Sequence, residues 1–196
     1  DTYAINPATG IQNDGNAHST SFAPQTMFNG VKTGNLFLAY KFMRNLTNPD
    51  PSTRSLVHDV FVTFDLNMET RISRVKIFPR TGLGYTYTRS SVKRFRIWGT
   101  NDDNSERWSK FPGNWTLIGE YVGREPAKRD NLTQEEIEYF NLKQEYSISE
   151  DNVNPAANTT ATFRYMRLQL MESYVQETTF YTINEFEMYG DIQQYY

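Results

Sequence analysis

Val60-Phe61-Val62-Thr63-Phe64-Asp65-Leu66 is the stretch on which the fold turns. Val60, Val62, Phe64 and Leu66 alternate with Phe61, Thr63 and Asp65. That is the period of a strand with one face in a core, because successive side chains of a strand point to opposite sides. The same period recurs outward from it. Val75 and Ile77 alternate with Arg74, Lys76 and Phe78, and Phe95 and Ile97 with Arg94, Arg96 and Trp98. Met166, Leu168 and Leu170 alternate with Tyr165, Arg167 and Gln169, and Phe186 and Met188 with Glu185 and Glu187. Trp115, Leu117 and Tyr121 mark a further strand, and Tyr146 and Ile148 a shorter one.

Turn-forming clusters at residues 79–84, 100–104 and 152–158 separate these runs. One segment carries helical signals. Thr133 is placed to cap it, Glu135 and Glu136 fall in the first turn where the helix dipole favours acids, and Ile137 and Phe140 share a face. A helix is expected over residues 134–140. Many short strands with one helical insert predict an all-β sandwich or jelly roll.

The 196 residues suffice for one domain, with residues 1–27 loop-rich and residues 123–143 an insert carrying the helix. Aromatics at 15% place the chain among folded rather than disordered sequences. A net charge of −3 gives the molecule no overall pull toward nucleic acid or an anionic membrane. No apolar run approaches a membrane span. The absence of cysteine excludes disulfides, thiolate-held zinc and cysteine nucleophiles. His18 and His58 are the only histidines and lie far apart in sequence, so neither a His-based catalytic pair nor a histidine metal site is legible, and no enzyme is expected. The alternating cations Arg74, Lys76, Arg94 and Arg96 read as one solvated sheet face. The chain opens at Asp1, read here as a processed or trimmed start.

Five segments, in order, resemble discoidin domains, also called coagulation factor V/VIII type C domains, of the galactose-binding-like group. They are Phe61-Val62-Thr63-Phe64-Asp65-Leu66, Val75-Lys76-Ile77-Phe78-Pro79-Arg80, Phe95-Arg96-Ile97-Trp98-Gly99-Thr100-Asn101-Asp102, Arg164-Tyr165-Met166-Arg167-Leu168 and Ile183-Asn184-Glu185-Phe186-Glu187-Met188-Tyr189-Gly190. The insert around Leu132-Thr133-Gln134-Glu135-Glu136-Ile137 is similar to a subgroup found at the C-terminus of Bacteroidetes surface lipoproteins linked to polysaccharide use. The resemblance implies a discoidin-like jelly-roll β-sandwich. It also implies placement on the outer-membrane surface or in the periplasm, and a glycan or polysaccharide ligand. The alternative is a protein–protein adhesion or scaffold domain in an uptake complex, since the fold hosts both.

The resemblance further implies a structural calcium. In such modules a Glu at the position of Glu185 joins oxygens of an early Asp-Gly loop, here Asn29-Gly30. Asn29, Thr33 and Asn35 are the candidate partners. The alternative is a carboxylate that hydrogen-bonds the same loop without a metal.

If consecutive strands run antiparallel, successive loops alternate between the two ends of the sandwich. Loops after Phe78, Val122 and Met171, and the one before Asp59, then fall at one end. This places His58, Arg80, Tyr85, Tyr87, Arg89, Tyr174 and Tyr181 together as candidate ligand contacts, and sends Trp108 and Phe111 to the far end. Aromatic faces stack on sugar C–H groups while arginine and tyrosine donors fix hydroxyls. Tyr85 and Tyr87 could equally be packing residues of a hairpin. Trp98, Trp115 and Tyr165 are expected to be structural.

Overall fold

The computed structural model describes residues 12–13, 24–34, 37–40, 42–43, 55–56, 60–82, 84–88, 90–104, 111–175 and 180–195. In chain order the strands are β1 (Gln12–Asn13), β2 (Phe37–Tyr40), β3 (Phe42–Met43), β4 (Ser55–Leu56), β5 (Val60–Phe78), β6 (Val92–Thr100) and β7 (Thr116–Val122). Helix α1 (Gln134–Leu142) follows, then β8 (Glu145–Ser147), β9 (Phe163–Ser173), β10 (Phe180–Ile183) and β11 (Glu185–Tyr195). A 3-10 turn, Pro24–Phe28, precedes β2. Every described strand pairing within the sheets is antiparallel.

The two runs read as separate strands, Val60–Leu66 and Val75–Phe78, belong to the continuous 19-residue β5. Its first part lies in the order β1-β5-β9-β6-β7, and its second part pairs with β8 and β11. The chain turns between Asp65, paired with Tyr165, and Thr70, paired with Phe163. Asn67 takes φ 58° there, and Asp65 Oδ1 accepts the Asn67 N–H at 2.7 Å. Asparagine tolerates this left-handed backbone because its short polar side chain adapts to local hydrogen bonding. Arg164 pins the corner with a two-pronged contact to Asp65, at 2.8 and 2.7 Å. A planar guanidinium matches a carboxylate in this way and fixes orientation as well as distance.

The bend makes two facing layers. Phe64 on the first part of β5 meets Phe186 on β11 with ring centres 6.5 Å apart, and Phe95 on β6 meets Tyr146 on β8 at 5.2 Å. Val60, Val62, Phe64, Val75, Ile77, Phe95, Ile97, Met166, Leu168, Leu170, Phe186 and Met188 all join one buried cluster. Each such side chain contributes about 1.5–3 kcal/mol on leaving water. Tyr146, the short candidate, is part of β8 and of this core. On β7 the pairing steps from Ile97–Gly119 to Trp98–Leu117, a bulge that puts Ile118 into the core and returns Tyr121 to it.

The cations do not share one sheet face. Arg74 and Lys76 project from the β8-β5-β11 layer and both meet Glu145, at 3.4 and 2.9 Å. Arg94 and Arg96 project from the other layer toward Glu120, at 3.6 and 2.7 Å, and Arg94 also meets Glu172 at 3.1 Å. The fold of β5 separates them, because residues 74 and 76 lie beyond the corner. Trp98, Trp115 and Tyr165 pack, as expected, in a small cluster with Phe111 on the outer face of the larger layer. Arg167 lies buried there, 4.0 Å from the Phe61 ring centre and 4.2 Å from that of Trp115.

Candidate functional site

The register fixes which loops share an end. Val60 pairs with Leu170, Val92 with Ser173, and Arg94 with Val122. Asn184 N–H donates to the Phe78 carbonyl at 2.8 Å, and Thr182 N–H to the Ser90 carbonyl at 2.9 Å. The segments after Phe78, Val122 and Ser173 and the start of β5 therefore meet at one end. Asp65, Thr100, Thr116 and Tyr165 mark the other.

At the first end the chain after β5 makes a tight turn, not a hairpin of strands. Tyr85 N–H donates to the Gly82 carbonyl at 3.1 Å and Thr88 N–H to the Tyr85 carbonyl at 3.3 Å. Gly82 and Gly84 sit at φ 117° and 83°, backbone that a Cβ would strain. Tyr87 is also left-handed, at φ 54°. A bulky residue held there costs of order 1–3 kcal/mol, offset by where its ring goes. Tyr87 is fully buried against Phe140 at 4.6 Å and Tyr174 at 5.1 Å between ring centres.

Helix α1 supplies Phe140 and forms the facing wall. Thr133 caps it through a reciprocal capping box with Glu136. Glu136 also accepts the Ala127 N–H at 2.7 Å, so one carboxylate ties the incoming loop to the first helical turn. The hydrogen bonds from the Thr133 and Ala127 backbones, then from the Thr133 hydroxyl, hold the Glu136 carboxyl below the usual glutamate range. At the base of the insert Gly123 has no room for a side chain. A Cβ there would lie 2.1 Å from the Tyr174 hydroxyl.

Between the turn and the helix lies a cleft of about 400 Å³. Gly82, Gly84, Thr86 and Thr88 line one side, and Arg129, Leu132, Ile137 and Asn141 the other. Thr86, Thr88, Asn141 and Arg129 offer hydroxyl, amide and guanidinium groups beside the apolar Leu132 and Ile137. Arg80 and Tyr85 stand next to it. Both are half-buried, with the guanidinium 3.8 Å from the ring centre, and Tyr85 Cδ2 is 3.8 Å from where a Gly82 Cβ would sit.

Several expected ligand contacts lie elsewhere. Tyr87 and Tyr174 are buried behind the cleft, and burial pushes the Tyr87 hydroxyl up to about 12 and raises that of Tyr174. Tyr181 belongs to the main core, where burial raises its hydroxyl too. Tyr87 and Tyr174 pack rather than present a face because the helical insert brings Phe140 over them, and Tyr181 because its strand faces the main core. His58, Arg89 and Trp108 lie outside the described residues.

For calcium, Asn29 and Thr33 are exposed, Asn35 lies outside the described residues, and Glu185 is buried. Both Glu185 oxygens accept the Gly30 N–H, each at 3.1 Å. Burial raises the Glu185 carboxyl to about 7 against the lowering pull of the Gly30 N–H. Asn29 Oδ1 accepts the Val31 N–H at 2.8 Å, and the Lys32 carbonyl accepts from Asn184 at 3.0 Å. Asn184 Oδ1 is buried without a partner among the described residues. Calcium takes about six to eight oxygens. Among the described residues, the Glu185 carboxylate and the Gly30 N–H form a carboxylate–amide clasp that ties the loop to β11.

A family profile described as "DUF5000: Domain of unknown function" matches residues 40–190. The chain belongs to that family. No curated protein matches the sequence. Among solved structures, a SusE-like protein is similar with TM-score 0.65 and 21% identity over 98% of this chain, which spans 64% of that protein. Chitosan-binding module 1 from a chitosanase/glucanase of Paenibacillus sp. IK-5 gives TM-score 0.52 and 16% identity, over 97% of this chain and 99% of the module. A module named CBM32-3, from a family 31 glycoside hydrolase of Clostridium perfringens, gives 0.54 and 13%, over 96% of each chain. These likenesses establish the discoidin-like sandwich.

Sequence reasoning missed Thr86, Thr88, Arg129, Leu132, Ile137 and Asn141. A signal was present: the insert follows Val122, whose loop the strand count had already put at this end. A helix there must either cover the Arg80–Thr88 turn or leave it open.

Proposed function

We propose that this chain is a non-catalytic carbohydrate-binding module and that the cleft between the Gly82–Thr88 turn and α1 is its binding site. The observation that carries this is the cleft itself. Its volume is near the lower end of the ~300–1,000 Å³ typical of small-ligand pockets, which suits one or two sugar rings. Its walls pair an apolar strip for C–H groups with hydroxyl, amide and guanidinium groups for sugar hydroxyls. The binding named for the chitosan-binding module of the same fold supports the reading. The SusE-like neighbour supports a place on the outer-membrane surface or in the periplasm, beside a polysaccharide-uptake system.

A protein-docking role calls for a broad apolar patch. The large apolar residues exposed among the described ones are Val31 in the loop before β2, Leu142 at the end of α1 and Val153 in the loop after β8, each on a separate segment. A single small cleft binds modestly: a Kd of ~1 mM corresponds to about −4.1 kcal/mol, so retention in use would come from multivalency. The test is a glycan array and affinity electrophoresis with the wild-type chain and Arg129→Ala. Retention on a defined glycan that weakens in the variant supports the site. Retention by neither on any glycan overturns the function.

A further inference from the structure

Salt bridges match most of the cations described at this end of the sandwich. Lys93 and Arg129 share Glu125, at 2.8 Å each, Arg94 meets Glu172 at 3.1 Å and Arg124 meets Glu135 at 3.5 Å. Arg80 and Lys128 have no carboxylate partner among the described residues. Lys128 is an exposed lysine of the insert. Arg80 differs, because its guanidinium is held 3.8 Å from the Tyr85 ring centre. None of its five N–H donors meets an acceptor among the described residues. The residue is half-buried, yet its nitrogens are not among the buried polar atoms left without a partner, so they face water. Gly82, which lines the cleft, would carry its Cβ 3.8 Å from Tyr85 Cδ2, so the Arg80–Tyr85 pair borders the cleft at bare backbone.

We infer that this cleft takes an acidic sugar, and that Arg80 is its specificity-determining residue, binding the sugar's carboxylate or sulfate through two of its N–H groups. This rests on the carbohydrate-binding reading above and names its substrate class. A guanidinium stays charged at neutral pH and holds an oxyanion by two parallel N–H bonds, each roughly twice as strong as one to a neutral group. A sugar hydroxyl offers one oxygen and no charge. Tyr85 positions the guanidinium before any ligand arrives, which lowers the ordering cost of the contact. The charge within the lining does not compete for the anion. Arg129 Nη2 donates to both Glu125 oxygens, at 3.0 and 2.8 Å. Burial opposes ionisation of Glu125, but hydrogen bonds from Lys93 and Arg129 outweigh it and hold the carboxyl below the usual range, so that match persists at neutral pH. Leu132 and Ile137 in the facing wall leave an apolar strip for the C–H face of the ring. With a net charge of −3, the whole molecule does not attract anions, so a preference for an acidic sugar is a local property of this site.

The experiment compares wild type, Arg80→Gln and Arg80→Lys on arrayed oligomers of galacturonate, glucuronate and mannuronate and on their methyl esters. Galactose and 6-sulfogalactose complete the array, and each protein is also melted thermally. A methyl ester keeps the shape of the sugar and removes its charge. Wild type should hold at least one acidic sugar about tenfold or more tightly than its neutral counterpart, the scale of charge-assisted hydrogen bonds. That preference should shrink as salt rises. The uronate and 6-sulfogalactose arms tell carboxylate from sulfate. Arg80→Gln should bind the acid and its neutral counterpart alike. Arg80→Lys should keep part of the preference, since it retains the charge without the fork. Both variants should melt close to wild type. Wild type that binds no acid, or binds the neutral counterparts as tightly, overturns the acidic class while the carbohydrate function stands. An acid preference undiminished in Arg80→Gln overturns the assignment of Arg80. Loss of binding in both variants together with a large fall in melting temperature makes Arg80 a packing residue, and the inference fails. Wild type retained on no glycan at all overturns the function itself.

Discussion

Arg80 holds its guanidinium 3.8 Å from the centre of the Tyr85 ring, so one face of that ring is already occupied. A sugar that reaches this turn meets the Tyr85 ring and the guanidinium together. The pair therefore acts as one platform beside the cleft, and removing either member disturbs it. An exposed cation–π contact contributes about 0.5–1 kcal/mol. Tyr85→Ala and Arg80→Ala are expected to lower the melting point only slightly, while each weakens retention on a glycan that wild type binds. Affinity electrophoresis beside a thermal melt checks both, and unchanged retention in both variants removes the platform from the site.

Tyr87 separates packing from stacking. Its ring is fully buried and closes the cluster with Phe140 and Tyr174. Truncating a buried aromatic typically costs about 3–5 kcal/mol, so Tyr87→Ala should be strongly destabilised. Tyr87→Phe deletes only a hydroxyl without a partner among the described residues and should be neutral or slightly stabilising. Urea midpoints of the two variants decide the matter. A Phe variant as unstable as the Ala variant would show that the hydroxyl is bonded after all.

Glu185 clasps the Asn29–Gly34 loop through Gly30. Thermal melts with a calcium chelator and with added calcium should coincide if the clasp between Glu185 and the Gly30 N–H holds this loop without a metal. Glu185→Ala should lower the melting point, because the Gly30 N–H loses its acceptor. A melting point that rises with calcium and falls with chelator would restore the metal site.

Glu136 makes the insert sensitive to acid. Its folded carboxyl lies below the usual range, held first by the backbone hydrogen bonds of Thr133 and Ala127. A depressed acid contributes stability above its unfolded value and loses it as pH falls through its folded one. Exchange of the Ala127 and Thr133 amides, followed by NMR as pH drops from ~5 to ~3, should therefore show less protection than intrinsic exchange predicts. Glu136→Gln should show reduced protection already at neutral pH. Protection in that variant equal to wild type would count against the clasp.

Local chemistry legible in the sequence was that of short-range pattern. Thr133 caps α1 because a β-region residue with a side-chain oxygen can reach the third helical N–H whatever surrounds it. Met166, Leu168 and Leu170 face the core because strand alternation is a property of the backbone. Arg74 and Arg94 looked alike by the same rule, yet lie on different layers, because the corner at Asn67 is set by pairing with β9 and β11 and not by any run of residues.

By itself the sequence determined the strand period, the cap, the order of the β-segments and hence the sandwich, all of which depend on neighbours two to four residues apart. Only the tertiary structure decided which face of each end-loop residue meets solvent. Tyr85 and Tyr87 stand two apart in identical Tyr-Thr steps, but one stays half-exposed beside the cleft and the other is sealed. What separates them is Phe140, more than fifty residues later, brought over the turn by an insert whose docking depends on Gly123 leaving space for Tyr174. Burial is a sum over contacts distant in sequence, so no local pattern carries it, and the site could be seen only once the helix was in place.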